Sequence, residues 1–128
     1  MLSKITECLY LASEEDAKRF TAPDGKPVAF FDLTEWRLDL EGLNDDTYIE
    51  LSLIVGAIGQ LTYYGDVPVV VFCQTGKDKA PFVVACFLYR YREKPEAYRY
   101  VAEMHPDTVI HEDWWKIFKA AQGWSMGV

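Results

Sequence analysis

The sequence predicts a small α/β domain in which one central, mostly parallel sheet is flanked by helices. Val67 to Phe72 is an almost unbroken apolar, β-branched run, the composition of a strand covered on both faces in a parallel sheet. Leu51, Ile54, Val55, Ile58 and Leu61 ahead of it repeat at helical spacing, and Phe82 to Tyr91 behind it forms a largely apolar helical segment. Strands early, helices late and a β-helix-β alternation in the middle match a sheet packed under helices.

The elements follow in order. Ile5 to Leu11 is expected as the first strand. Ser13 with Asp16 forms a helix N-cap and acidic first turn, opening a helix to about Phe20, and Asp24-Gly25 marks a turn. Val28 to Leu33 is a second strand, and Arg37 to Glu41 alternates charged residues with Leu38 and Leu40 as a third. After a loop over Gly42 to Asp46, Thr47 and Glu50 fit a capping box for a helix that stops near Tyr64-Gly65. Pro81 suits the first turn of the next helix, and Lys94-Pro95 breaks it. Pro95 opens another helix with Tyr98, Val101 and Ala102 on its apolar side, and a last one runs from about Glu112 to Gln122 before Gly123.

With 128 residues, 50% hydrophobic and 15% aromatic, the chain matches one domain over 1–128 that buries its own core. No apolar run approaches the roughly 20 residues of a membrane helix, and the N-terminus lacks a basic-then-apolar leader, so a cytoplasmic protein without membrane contact is expected. A net charge of −7 argues against a nucleic-acid surface, which needs clustered Lys and Arg. Cys8, Cys73 and Cys86 form no Cys-x-x-Cys pair and no His-rich cluster, so neither a disulfide framework nor a metal site is expected, and no cofactor is called for.

Cys73 lies where strand passes through a short loop into helix: Phe72-Cys73-Gln74-Thr75-Gly76-Lys77-Asp78-Lys79-Ala80-Pro81. A loop in that place aims backbone N–H groups at one point and adds the positive end of the helix dipole, which favours an anion and lowers the pKa of a thiol. Gly76 permits a tight bend, and Lys77 and Lys79 supply local positive charge in an acidic chain. Gln74, Thr75, Gly76, Lys77, Asp78, Lys79 and Ala80 are the candidate phosphate-binding residues, around Cys73 as nucleophile.

This segment resembles the signature loop of the protein tyrosine and dual-specificity phosphatase superfamily, His-Cys-x-x-Gly-x-x-Arg-Ser/Thr, with Cys73 and Gly76 matching in identity and spacing. Ile5 to Ser13 is similar to the opening strand of small dual-specificity phosphatases and Ala29 to Thr34 to their second strand. Phe82 to Tyr91 and Lys94 to Met104 sit where that family has the helices after its loop. The resemblance implies a cysteine phosphatase-like fold over most of the chain. It also implies a phosphorylated ligand or phosphoprotein as partner, with a protein partner as a further expectation.

Three departures fall inside the signature. Phe72 replaces the histidine, Lys79 the arginine and Ala80 the hydroxyl residue. Arginine grips a phosphoryl group through a planar two-pronged contact, whereas lysine offers a point charge. Alanine cannot donate the hydroxyl hydrogen bond that helps a thiolate leave. The family's general acid precedes the helix before the signature strand. Asp45 is the first choice here and Asp46 the second, with Glu41 and Asp39 open; acidic residues there equally suit a helix N-terminus. His105 and His111 are expected as loop or surface residues, Cys8 and Cys86 as core, and Trp114, Trp115 and Trp124 as anchors of the last helix.

The expectation is a phosphatase-like domain with an anion-binding Cys73 loop whose hydrolysis is weak or lost because Lys79 stands for the arginine. An active cysteine phosphatase working through a Cys73 thiophosphate, with Asp45 as acid, is the alternative. A redox or sensing thiol comes third, with no resolving cysteine beside Cys73 in the sequence.

Overall fold

The computed structural model describes residues 1–22, 24–37, 45–63, 65 and 67–126, the side chains of 45 and 123–126 excepted. A four-stranded sheet runs in the order β1 (Leu2–Lys4), β2 (Leu9–Ser13), β4 (Val69–Cys73), β3 (Ala29–Asp32). β4 pairs in parallel with β2 and β3, and β1 antiparallel with β2, so the expected mostly parallel sheet is present. Around it lie α1 (Glu14–Arg19), α2 (Asp45–Thr62), α3 (Lys79–Tyr91), α4 (Ala97–Met104) and α5 (Glu112–Met126).

The strand period divides β4 between two cores. Val69, Val71 and Cys73 join the main cluster with Leu9, Leu11, Leu51 and α3, while Val70 packs with Ala12 and Ala17 on the α1 side, where Phe72 lies against them. Every residue of α3 from Ala80 to Leu88 is buried. Phe82 and Phe87 are fully buried there, each contributing about 1.5–3 kcal/mol from removal of apolar surface from water. Phe82 meets Trp114 and Phe118 edge-on, and Trp114 and Trp115 are buried, so both anchor α5 as expected. The side chain of Trp124 lies outside the described residues.

Several expected boundaries move, each for a tertiary reason. Ile5 to Leu11 is two strands: the chain reverses over residues 6–8, with the N–H groups of Ile5 and Thr6 both donating to the Leu9 carbonyl. The turn contains no Gly, Pro or Asn, so the apolar run hides it. Ser13 does cap α1, its Oγ accepting from the Asp16 N–H at 3.2 Å. Thr47 is no cap; α2 already begins at Asp45, and the Glu50 carboxylate accepts from Trp36 Nε1 at 2.8 Å instead of turning back. α5 passes through Gly123, tied just before it by Arg90 Nε donating to Gln122 Oε1 at 2.7 Å. Of the strand expected over Arg37 to Glu41, residues 38–41 lie outside the described residues, and Arg37 belongs to no element. Among the described residues, no helix is long and apolar enough to cross a membrane.

Candidate active site

β4 ends at Cys73 and α3 begins at Lys79, so residues 74–78 form the short turn between the central strand and the most buried helix. Cys73 is 2% exposed and faces the main core, whereas Gln74, Thr75 and Lys77 are exposed. Gly76 is the hinge of the turn. Its φ is +71°, and a Cβ there would meet Ser13 N at 2.7 Å and the Ala12 carbonyl carbon at 2.9 Å. The loop therefore lies flat on the backbone of β2, at a conformation and a distance that exclude side chains.

Three carbonyls of the turn are held from outside. Gln74 O accepts from the Glu14 N–H at 3.3 Å, Lys77 O from the Val109 N–H at 2.8 Å, and Gly76 O from His105 Nε2 at 2.8 Å. In a trans peptide the N–H points opposite to the C=O, and no peptide bond here is cis. The N–H groups of Thr75, Lys77 and Asp78 are thereby turned away from those anchors. The Lys77 N–H meets Thr75 Oγ1 on that side at 3.2 Å.

His105 and His111 lie in loops, as expected, but neither is a plain surface residue. His105 is fully buried; its Nε2 reaches Gly76 O and its Nδ1 lies 2.7 Å from Ser3 Oγ. Burial lowers its pKa, against an opposing pull from the bond to Gly76. His111 Nε2 donates to Asp78 Oδ1 at 2.7 Å while its ring stacks on Trp114 with centroids 3.7 Å apart. The loop carboxylate Asp78 is thus paired with a histidine. Neither histidine carries a spacing signal; Pro106 beside His105 marks only a helix end.

Lys79 sits at the arginine position of the signature, and its ammonium donates to Thr34 O at 3.0 Å and Trp36 O at 2.8 Å. Gln74 Nε2 also donates to Thr34 O, at 3.0 Å. The segment after β3 is therefore strapped to the Cys73 loop from both ends of that loop. Asp32 at the end of β3 accepts from the Thr34 hydroxyl at 2.6 Å and from its N–H at 2.9 Å, which lowers the carboxyl pKa. Ala80 is fully buried in the first turn of α3, and Phe72 meets Phe30 edge-on across the sheet from Cys73. Cys8 and Cys86 are buried cysteines in no disulfide, and burial pushes the thiol pKa of Cys86 well up. Asp46 is exposed on the first turn of α2; Asp39, Glu41 and the side chain of Asp45 lie outside the described residues. Among the described residues no cluster of His, Cys, Asp and Glu is arranged to hold a metal.

The fold as a whole is similar to that of solved dual-specificity phosphatases. Human DUSP28 superposes with a TM-score of 0.69 at 15% identity, over 93% of this chain and 90% of its own. A leucine rich repeat and phosphatase domain containing protein from Entamoeba histolytica gives 0.70 at 18% identity, over 93% and 88%. PTPMT1 in complex with PI(5)P gives 0.70 at 13%, over 93% and 92%. At such identities it is the fold that is shared. No family model and no curated protein matches the sequence.

Proposed function

We propose that this domain binds a phosphorylated ligand in the Cys73 loop and hydrolyses it weakly or not at all. The observation that carries this reading is the direction of Lys79. A phosphatase needs a cation whose contact to the phosphoryl group strengthens in the transition state. The Lys79 ammonium spends two of its three N–H groups on the carbonyls of Thr34 and Trp36, and it lacks the planar fork of arginine. The turn's carbonyls, each held by a partner from the rest of the fold so that its peptide N–H points away from that partner, support oxyanion binding. Ala80 in place of a hydroxyl residue supports slow release of a thiophosphate.

A second reading, an active phosphatase with Cys73 as nucleophile and Asp45 as acid, draws support from the position of Cys73 at the C-terminal end of the central parallel strand, directly before α3. One of the structural relatives is solved with PI(5)P, and Lys77, exposed beside the loop, would suit an additional phosphate of such a ligand. A phosphomonoester, on protein or lipid, is the ligand class; a cytoplasmic setting accords with cysteines that form no disulfide.

Hydrolysis of an aryl phosphate by the wild type, Cys73→Ser and Lys79→Arg separates the readings. Weak or undetectable turnover in the wild type that rises in Lys79→Arg is expected. Robust wild-type turnover that vanishes in Cys73→Ser would establish the active enzyme instead. Inorganic phosphate or tungstate should raise the melting temperature, and absence of any shift would remove the anion site.

A further inference from the structure

We propose that His105 is a positioning residue that, as the Nε2–H tautomer fixed by Gly76 O and matched by the Ser3 hydroxyl, holds the Gly76–Lys77 peptide with its N–H toward a bound oxyanion. This rests on the anion-loop reading above. Of the three anchors on the turn, those on Gln74 O and Lys77 O are backbone N–H groups fixed by the course of the chain. The anchor on Gly76 O is a side chain from the far end of α4, 29 residues along the sequence. Gly76 is also the turn residue with the greatest freedom, at φ +71°, and its side of the turn is closed by Ala12 and Ser13. The Lys77 N–H now points at the exposed Thr75 Oγ1, which a bound oxyanion would displace; rotation of the Gly76–Lys77 peptide plane would swing a carbonyl oxygen to that side, and a carbonyl dipole there repels an anion. The imidazole opposes that rotation by holding the oxygen on the buried side of the loop.

The tautomer follows from its neighbours. Gly76 O can only accept, so Nε2 carries the proton. In the neutral ring, favoured by burial, Nδ1 is then an acceptor, and the Ser3 hydroxyl is its donor at 2.7 Å. Ser3 belongs to β1, so the outer strand of the sheet, the histidine after α4 and the loop after β4 form one chain of hydrogen bonds.

The test uses tungstate as probe and two amides of different reach. Glutamine places a donor as many bonds from the backbone as Nε2, and asparagine only as many as Nδ1. Calorimetric titration should find His105→Gln within about threefold of the wild type and His105→Asn weaker by about tenfold, the order of one hydrogen bond. A bystander in the core would be harmed alike by both amides, so equal losses, or none in folded His105→Asn, overturn the proposal. Long-range proton–nitrogen spectra of the imidazole should show Nε2 protonated and Nδ1 bare; the reverse tautomer, or a charged ring at neutral pH, also overturns it. Should His105→Asn fail to fold, Ser3→Ala decides: with the donor to Nδ1 gone, affinity a few-fold weaker supports the relay, and unchanged affinity refutes it. A wild type that binds no tungstate sinks the anion-loop reading along with the relay, whereas binding with the wrong tautomer sinks the relay alone.

Discussion

Gly76→Ala should be among the most damaging single-methyl additions to this domain, and Gly25→Ala calibrates it. Both glycines hold φ at +71°, so an added Cβ incurs the same left-handed penalty at each, about 1–2 kcal/mol. At Gly25 nothing lies within 4 Å of the new methyl, and the cost ends there. At Gly76 the methyl meets Ser13 N at 2.7 Å, the Ala12 carbonyl carbon at 2.9 Å and its oxygen at 3.0 Å. These are backbone atoms of β2, paired to β4 at Ala12↔Phe72 and Ser13↔Cys73, and they cannot yield without opening the ladder that carries Cys73. Overpacking of that kind costs about 1–3 kcal/mol more, giving about 2–5 kcal/mol in total out of a domain stability of about 5–15 kcal/mol. In urea, with a slope of about 1–3 kcal/mol per molar, the midpoint should fall by on the order of 1–3 M for Gly76→Ala and by clearly less for Gly25→Ala. Equal midpoint shifts would show that the loop does not lie on β2 as described.

Other expectations concern the groups around the loop. Lys79→Met should lower stability by about 1–3 kcal/mol by stranding the Trp36 carbonyl and leaving that of Thr34 to Gln74 alone, measurable by the same urea titration; a change under about 0.5 kcal/mol would mean the strap is absent in solution. His105 has a depressed pKa when folded, so below the unfolded value of about 6.5 the unfolded chain binds the extra proton and stability falls as pH drops. His105→Gln should flatten stability between about pH 5 and 7, and an unaltered slope there would mean that His105 is not buried in neutral form. Thr34→Val removes the hydroxyl that contributes most to lowering the Asp32 pKa, so that carboxyl should titrate higher in a carbon-13 NMR titration; no upward movement would show the 2.6 Å contact to be unimportant.

The fold was legible where short-range rules decide it. The β-branched run ending at Cys73, the Ser13 cap, the helical spacing of Leu51 to Leu61 and the apolar α3 each depend on residues a few positions apart. Two boundaries failed for the complementary reason. The reversal between β1 and β2 lies inside an apolar run without turn residues, and Glu50 is drawn to Trp36, 14 residues away, rather than to its own helix end.

By itself the sequence determined that a cysteine would stand between a buried parallel strand and a helix, with a glycine three residues on and a lysine where an arginine belongs in the resembling family. Periodicity, capping and backbone freedom are written locally, and so is the chemical type of each side chain. Only the tertiary structure decided what those side chains face: Lys79 turned to carbonyls 43 and 45 residues away, Asp78 paired with His111 at a separation of 33, and His105 set between Gly76 and Ser3, the latter 102 residues distant. A hydrogen bond needs its partners within about 3 Å in space, whatever their distance in sequence, and that juxtaposition exists only after the sheet and α3 have packed. The loop around Cys73 is therefore placed by its own sequence and shaped by residues from four other parts of the fold.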